Sequence, residues 1–146
     1  MFEDGQPKHT VKQERTTWRD YELSQRHRKW GYGVPAYDID FLLCEVDKGE
    51  PTALIEYKSE WSSPQFPSHP SYLTLSSLGD RSKLPVFVVR YAQDFSWFKI
   101  VPLNRFAKLI LPERCTVNER LYVTWLWNLR GLQPPESIFT ALDSAI

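Results

Sequence analysis

The chain has 146 residues, with 18 Lys plus Arg against 18 Asp plus Glu, so its formal charge is zero. Hydrophobic residues make up 42% and aromatics 14%, enough for a buried core and too much for a disordered chain. No apolar run approaches the ~20 residues of a membrane helix, and two cysteines, Cys44 and Cys115, are too few for a disulfide scaffold or a four-cysteine zinc site. The polar start, Met1 to Gly5, lacks the apolar core of a secretion signal. A cytoplasmic setting is the expectation, either host cytoplasm or nucleoid if the chain is phage-derived.

Neutral net charge argues against coating nucleic acid by charge alone. The average hides a basic stretch. Residues 8–30 carry seven basic side chains against three acidic ones, with Trp18, Tyr21 and Trp30 interleaved. That mixture suits phosphate contact with base or sugar packing; a solvated basic helix face is the competing reading.

Residues 1–13 read as a polar tail, and 14–146 as one domain with a core over 14–103 and a helical part over 104–146. From Glu14 to Trp30 there is no Pro or Gly, and Gly31 ends the stretch, which predicts a helix. Trp18, Tyr21, Glu22, Gln25 and Lys29 share one face of it. Glu22 then sits in the stripe that faces the core and needs a partner there.

After the connector Gly31 to Pro35, residues 38–46 read as a strand, 47–51 as a turn cluster and 52–58 as a second strand, together a β-hairpin of two buried strands. Cys44 is expected to be an inert core thiol. The Ser/Pro-rich stretch 59–71 is a loop. A short helix should follow, capped by Ser71 and closed by Gly79, with Tyr72, Leu75 and Leu78 as its apolar side. Pro85 to Tyr91 is a strong strand, making a parallel crossover with 52–58, and 97–101 pairs back after a turn near Gln93 and Asp94. Asn104 can cap a short helix, Asn118 to Arg130 forms a longer one stopped by Gly131, and a last helix opens at Pro134-Pro135. The fold class is α/β: a mixed four-stranded sheet in a helix–β-hairpin–helix–β-β core, with extra C-terminal helices.

The informative chemistry lies at the base of the hairpin. Asp38 and Asp40 open one strand; Glu56 and Lys58 close the next. In an antiparallel pair those ends are adjacent, and a register that places Asp40 and Glu56 on one face brings Lys58 to the same face. Two neighbouring carboxylates repel unless a cation joins them, and oxygen ligands favour Mg²⁺ or Mn²⁺. Such an ion polarises a phosphodiester and acidifies water, while an adjacent ammonium orients that water or neutralises developing charge. The competing reading is an exposed Asp40–Lys58 salt bridge worth ~0.2–1 kcal/mol.

Tyr37-Asp38-Ile39-Asp40-Phe41-Leu42, a turn, and then Ala53-Leu54-Ile55-Glu56-Tyr57-Lys58 resembles the core of the PD-(D/E)XK nucleases, a superfamily of restriction endonucleases, junction resolvases and RecB-like exonucleases. The resemblance covers residues 14–103 and implies a restriction-endonuclease-like fold. It also implies Asp40 and Glu56 as metal ligands, the carbonyl of Tyr57 as a further ligand, Lys58 as the catalytic lysine and Glu22 as an added acid of the metal shell. Two features depart from the pattern: there is no Pro-Asp dipeptide, and Asp38 rivals Asp40.

The expected function is therefore a Mg²⁺- or Mn²⁺-dependent nuclease cutting DNA, duplex, branched or single-stranded. Arg15, Arg19, Arg26, Arg28 and Lys29 are the expected phosphate contacts, with Arg90 a weaker one and Trp61 as the aromatic contact. A homodimer would supply two sites for two strands. The alternative is an inactive protein of the same fold that binds nucleic acid or another protein. His9, His27 and His69 show no metal spacing, and no Gly-x-Ser-x-Gly or P-loop occurs.

Overall fold

The computed structural model describes residues 21–30, 37, 39–63 and 67–144. Five helices and five strands follow in the order α1 (Tyr21–Lys29), β1 (Phe41–Glu45), β2 (Glu50–Ser59), α2 (Pro70–Ser82), β3 (Val86–Tyr91), β4 (Phe98–Pro102), α3 (Arg105–Ile110), β5 (Cys115–Val117), α4 (Glu119–Asn128) and α5 (Glu136–Ser144). The strands form one mixed sheet in the order β1-β2-β3-β4-β5. β2 and β3 are parallel, joined across α2, and the other three pairs are antiparallel.

The sheet therefore has five strands, not four. The added strand, β5, is three residues long and pairs Val117 with Phe98 and Cys115 with Ile100. Three residues are too few for an alternating pattern to register, so only pairing reveals them.

Strand alternation divides the core into two layers. Ile55, Phe87, Val89, Phe98 and Ile100 pack on one face with Tyr122, Trp125 and Leu126 of α4. Leu54 and Val86 pack on the other with Leu75 of α2. The strand β3 is buried along most of its length, as expected of a parallel strand covered on both faces.

β1 differs from the buried strand expected. It is an edge strand, and Phe41 and Leu42 are about half exposed. Its pairing slips between Leu43 and Cys44, where Leu43 faces Ala53 but Cys44 faces Pro51, leaving Thr52 unmatched. Leu42 and Cys44 alternate onto the α2 side, but α2 packs over β2 and β3. Cys44 is consequently exposed rather than an inert core thiol.

α2 also corrects its expected ends. His69, not Ser71, is the N-cap: its Nδ1 accepts from the Ser71 backbone N–H at 3.3 Å. The helix runs through Gly79 and stops at Ser82, with Lys83 in the left-handed region at φ 59°. Gly79 is a contact residue instead of a stop, because a Cβ there would lie 2.3 Å from Cγ2 of Val86. Tyr72, Leu75 and Gly79 form the buried face, and Leu78 is exposed.

Asn104 caps α3 as the sequence predicts, and Asn118, read as the first residue of its helix, is the N-cap of α4. Asn118 accepts from the Leu121 N–H. Asn104, buried, accepts from the Ala107 and Val86 N–H groups and donates to Leu84 O and Asp80 Oδ1. All its hydrogen-bonding directions are used, tying α2, β3 and α3 together. Among the described residues, no helix is long and apolar enough to cross a membrane.

Candidate active site

The register of the hairpin decides where its charges go. Phe41 pairs with Ile55 and Leu42 with Leu54, so one step beyond the ladder Asp40 stands opposite Glu56. Leu42, Leu54, Glu56 and Lys58 alternate onto the α2 face, away from Ile55 and Tyr57.

Asp40 is anchored by the backbone. Its Oδ2 accepts from the Tyr57 N–H at 3.0 Å, replacing a ladder acceptor just before β1 begins. This bond ties the first carboxylate to the residue between Glu56 and Lys58.

Lys58 Nζ lies 3.5 Å from Glu56 Oε1, and the Glu56 side chain is only 14% exposed. The second oxygen, Oε2, is buried with no hydrogen-bond partner. Burial raises the Glu56 pKa above its ordinary 4.5, the Asp40 charge raises it further, and Lys58 opposes both. Buried carboxylate oxygens are normally paired, so an orphaned one beside a second carboxylate is a place for a cation or a proton.

Two neighbours complete the setting. Tyr72, in the first turn of α2, is buried; its hydroxyl pKa is raised by burial first, then by the charge of Glu56 and Asp40, with Arg90 opposing. Arg90 pairs with Lys58 across β2 and β3. Its Nη1 donates to the carbonyls of Ser62 at 2.8 Å, Ser59 at 3.2 Å and Glu60 at 3.5 Å. The turn so pinned carries Trp61, 75% exposed.

The structure brings together Asp40, Glu56 and Lys58, with the backbone of Tyr57 between them. Glu22 does not join them. It is exposed on α1, whereas the sequence puts it on the inner face. Among the described residues no group of three or more His, Cys, Asp or Glu is arranged to hold a metal; the acidic set here is a pair. Arg26 and Lys29 are exposed on α1, where Arg28 also lies. Arg15, Arg19, Trp18 and Asp38 lie outside the described residues.

Sequence reasoning missed Tyr72 as a neighbour of the carboxylates, reading it only as helix core. The parallel β2–β3 register is the signal that places it and Arg90, because α2 starts where both strands end. A separate cavity of about 380 Å³, lined by Tyr57, Tyr91, Phe98 and Tyr122, lies on the α4 face. Tyr57 links the two regions: its N–H, in the plane of the sheet, donates to Asp40 at the β1 edge, and its hydroxyl on the α4 face hydrogen-bonds that of Tyr122 at 2.5 Å.

Comparison with family models, curated proteins and solved structures returns no match for this chain.

Proposed function

We propose that this protein is a metal-dependent nuclease of the PD-(D/E)XK kind, with a restriction-endonuclease-like core, that hydrolyses phosphodiester bonds in DNA. The observation that carries the reading is the buried, unpartnered Oε2 of Glu56, facing Asp40 across the hairpin with Lys58 alongside. A structural salt-bridge network would be expected to satisfy that oxygen.

The donor set fits a hard divalent cation. Asp40, Glu56 and the Tyr57 carbonyl offer only oxygen, the preference of Mg²⁺ or Mn²⁺ over softer ions. When bound, such an ion supplies Lewis acidity to the phosphodiester and lowers the pKa of water.

The chain's own residues do the rest. The Tyr57 N–H fixes the Asp40 carboxylate on the edge of the sheet, so this member of the acidic pair is preorganised by backbone, while Lys58 holds one oxygen of the other. Lys58, tethered to Glu56, places an ammonium where negative charge grows on the scissile phosphate. The same ammonium would orient the attacking water. Burial of Glu56 beneath α2 excludes competing solvent and strengthens each of these interactions.

The test is cleavage of plasmid, branched and single-stranded DNA with Mg²⁺ and Mn²⁺, by wild type and by Asp40→Ala, Glu56→Ala and Lys58→Ala. Wild type is expected to cut, and each variant to lose roughly 10²-fold or more, the usual cost of removing a group that stabilises transition-state charge. A wild type as inactive as its variants on every substrate and with both metals would sink the reading, in favour of an inactive binding module.

A further inference from the structure

Beyond the carboxylate pair the same face of the sheet carries a row of cations. Lys58 pairs with Arg90 between β2 and β3, and Arg90 pairs with Lys99 between β3 and β4. All three share one face, because Phe98 and Ile100 on either side of Lys99 pack in the opposite layer. With strands ~4.8 Å apart, the row extends about 10 Å across the sheet, perpendicular to the strands.

Like charges directly opposite each other on a sheet destabilise it. Arg90 is surrounded by neutral carbonyls, which keep its charge in place without cancelling it. Among the described residues, neither Arg90 nor Lys99 forms a salt bridge. One end of the row touches Glu56; the remainder presents uncompensated positive charge.

Trp61 adds a different kind of contact. Its turn is held by the three Arg90 bonds, by Glu60 N–H to Tyr91 O at 2.8 Å, and by Gln93 N–H to Glu60 Oε1 at 2.9 Å. A turn so restrained, with a mostly exposed indole at its tip, costs little further entropy when the ring is stacked. Water is a poor solvent for that face, and an unpaired base is a good one.

We infer that the strand entering this site is single-stranded DNA, its phosphates following Lys58, Arg90 and Lys99 while a base stacks on Trp61. The inference rests on the nuclease reading for its substrate, and it selects among DNA forms: a duplex offers phosphates to the row but keeps its base faces stacked away from Trp61.

Binding measured without divalent metal tests this apart from cleavage. A labelled oligothymidylate of about 20 nucleotides, and a blunt duplex of similar length, are titrated by anisotropy over a salt series. The single strand should bind more tightly than the duplex. Trp61→Ala should weaken single-strand binding about fivefold or more, with Trp61→Phe recovering most of it. Lys99→Ala should reduce the log–log salt slope by about 0.7. Equal binding of both forms, with Trp61→Ala unaffected and the Lys99→Ala slope unchanged, overturns the strand path. Cleavage by wild type alongside that result leaves the nuclease reading standing and this inference fallen. Single-strand binding that needs Trp61 and Lys99, in a protein that cuts nothing, does the reverse.

Discussion

Nζ of Lys58 stands 3.5 Å from one oxygen of Glu56, while the other oxygen of that carboxylate is buried and makes no hydrogen bond. One ammonium therefore half-satisfies a buried anion that a second carboxylate, Asp40, further disfavours. This arrangement costs stability and holds a place for positive charge, and both consequences can be measured.

Glu56→Gln is expected to raise the melting temperature at neutral pH while abolishing cleavage. Because the folded pKa of Glu56 lies above its ordinary 4.5, the folded chain binds this proton more tightly than the unfolded chain. The penalty is full above the raised pKa and fades as pH falls toward 4.5. Thermal melts of both proteins across that window should therefore converge on the acidic side. A variant that is less stable than wild type at neutral pH contradicts the burial penalty.

Mn²⁺ or Mg²⁺ should stabilise wild type by mass action, by about 2.7 kcal/mol at a hundredfold excess over Kd. Asp40→Asn and Glu56→Gln should each remove that gain. A titration followed by differential scanning fluorimetry reads it directly, independent of any substrate. The same upward shift in both variants would place the ion elsewhere.

Arg130→Ala should lower the melting temperature through the opposite electrostatic logic. Arg130 donates to both oxygens of buried Glu45, from Nε at 3.0 Å and from Nη2 at 3.2 Å. That contact, chiefly, holds the Glu45 pKa below 4.5, with the Asp47 N–H helping. The stabilisation is present above 4.5 and is lost as pH falls toward the depressed value. Acid melts should show wild type losing its advantage over Arg130→Ala in that range.

Gly79→Ala tests the packing of α2 on β3. Alanine gains about 1 kcal/mol of helix propensity, but its Cβ would meet Val86 Cγ2 at 2.3 Å and Leu84 O at 2.8 Å. Overpacking of this kind costs about 1–3 kcal/mol, and a backbone carbonyl cannot swing aside. Urea denaturation should show a net loss. A gain would mean that α2 can move away from the sheet at little cost.

Much of the fold is legible in local patterns. The apolar runs of β2 and β3, the turn before β2, the asparagines before α3 and α4 and the glycine after α4 all act through neighbours a few residues away. Those signals locate the hairpin, the parallel crossover and the C-terminal helices. The errors share a different cause. Gly79 reads as a helix stop because glycine usually is one; only the approach of Val86 makes it a packing residue. Cys44 reads as core because its neighbours are apolar, yet β1 lies on the edge where α2 does not cover it.

The linear order of residues determined which side chains could meet: Asp40 and Glu56 on segments that must turn back on each other, with Lys58 two positions further on. Tertiary structure alone decided that they do. The Phe41–Ile55 register, one slip of which would send Asp40 to the far face, and the parallel seat of β3 that brings Arg90 beside Lys58 depend on contacts distant in sequence. Glu22 shows the limit from the other side: helical spacing gives it a face, but which face turns inward is set by the surface against which the helix packs, and in the folded chain Glu22 is exposed.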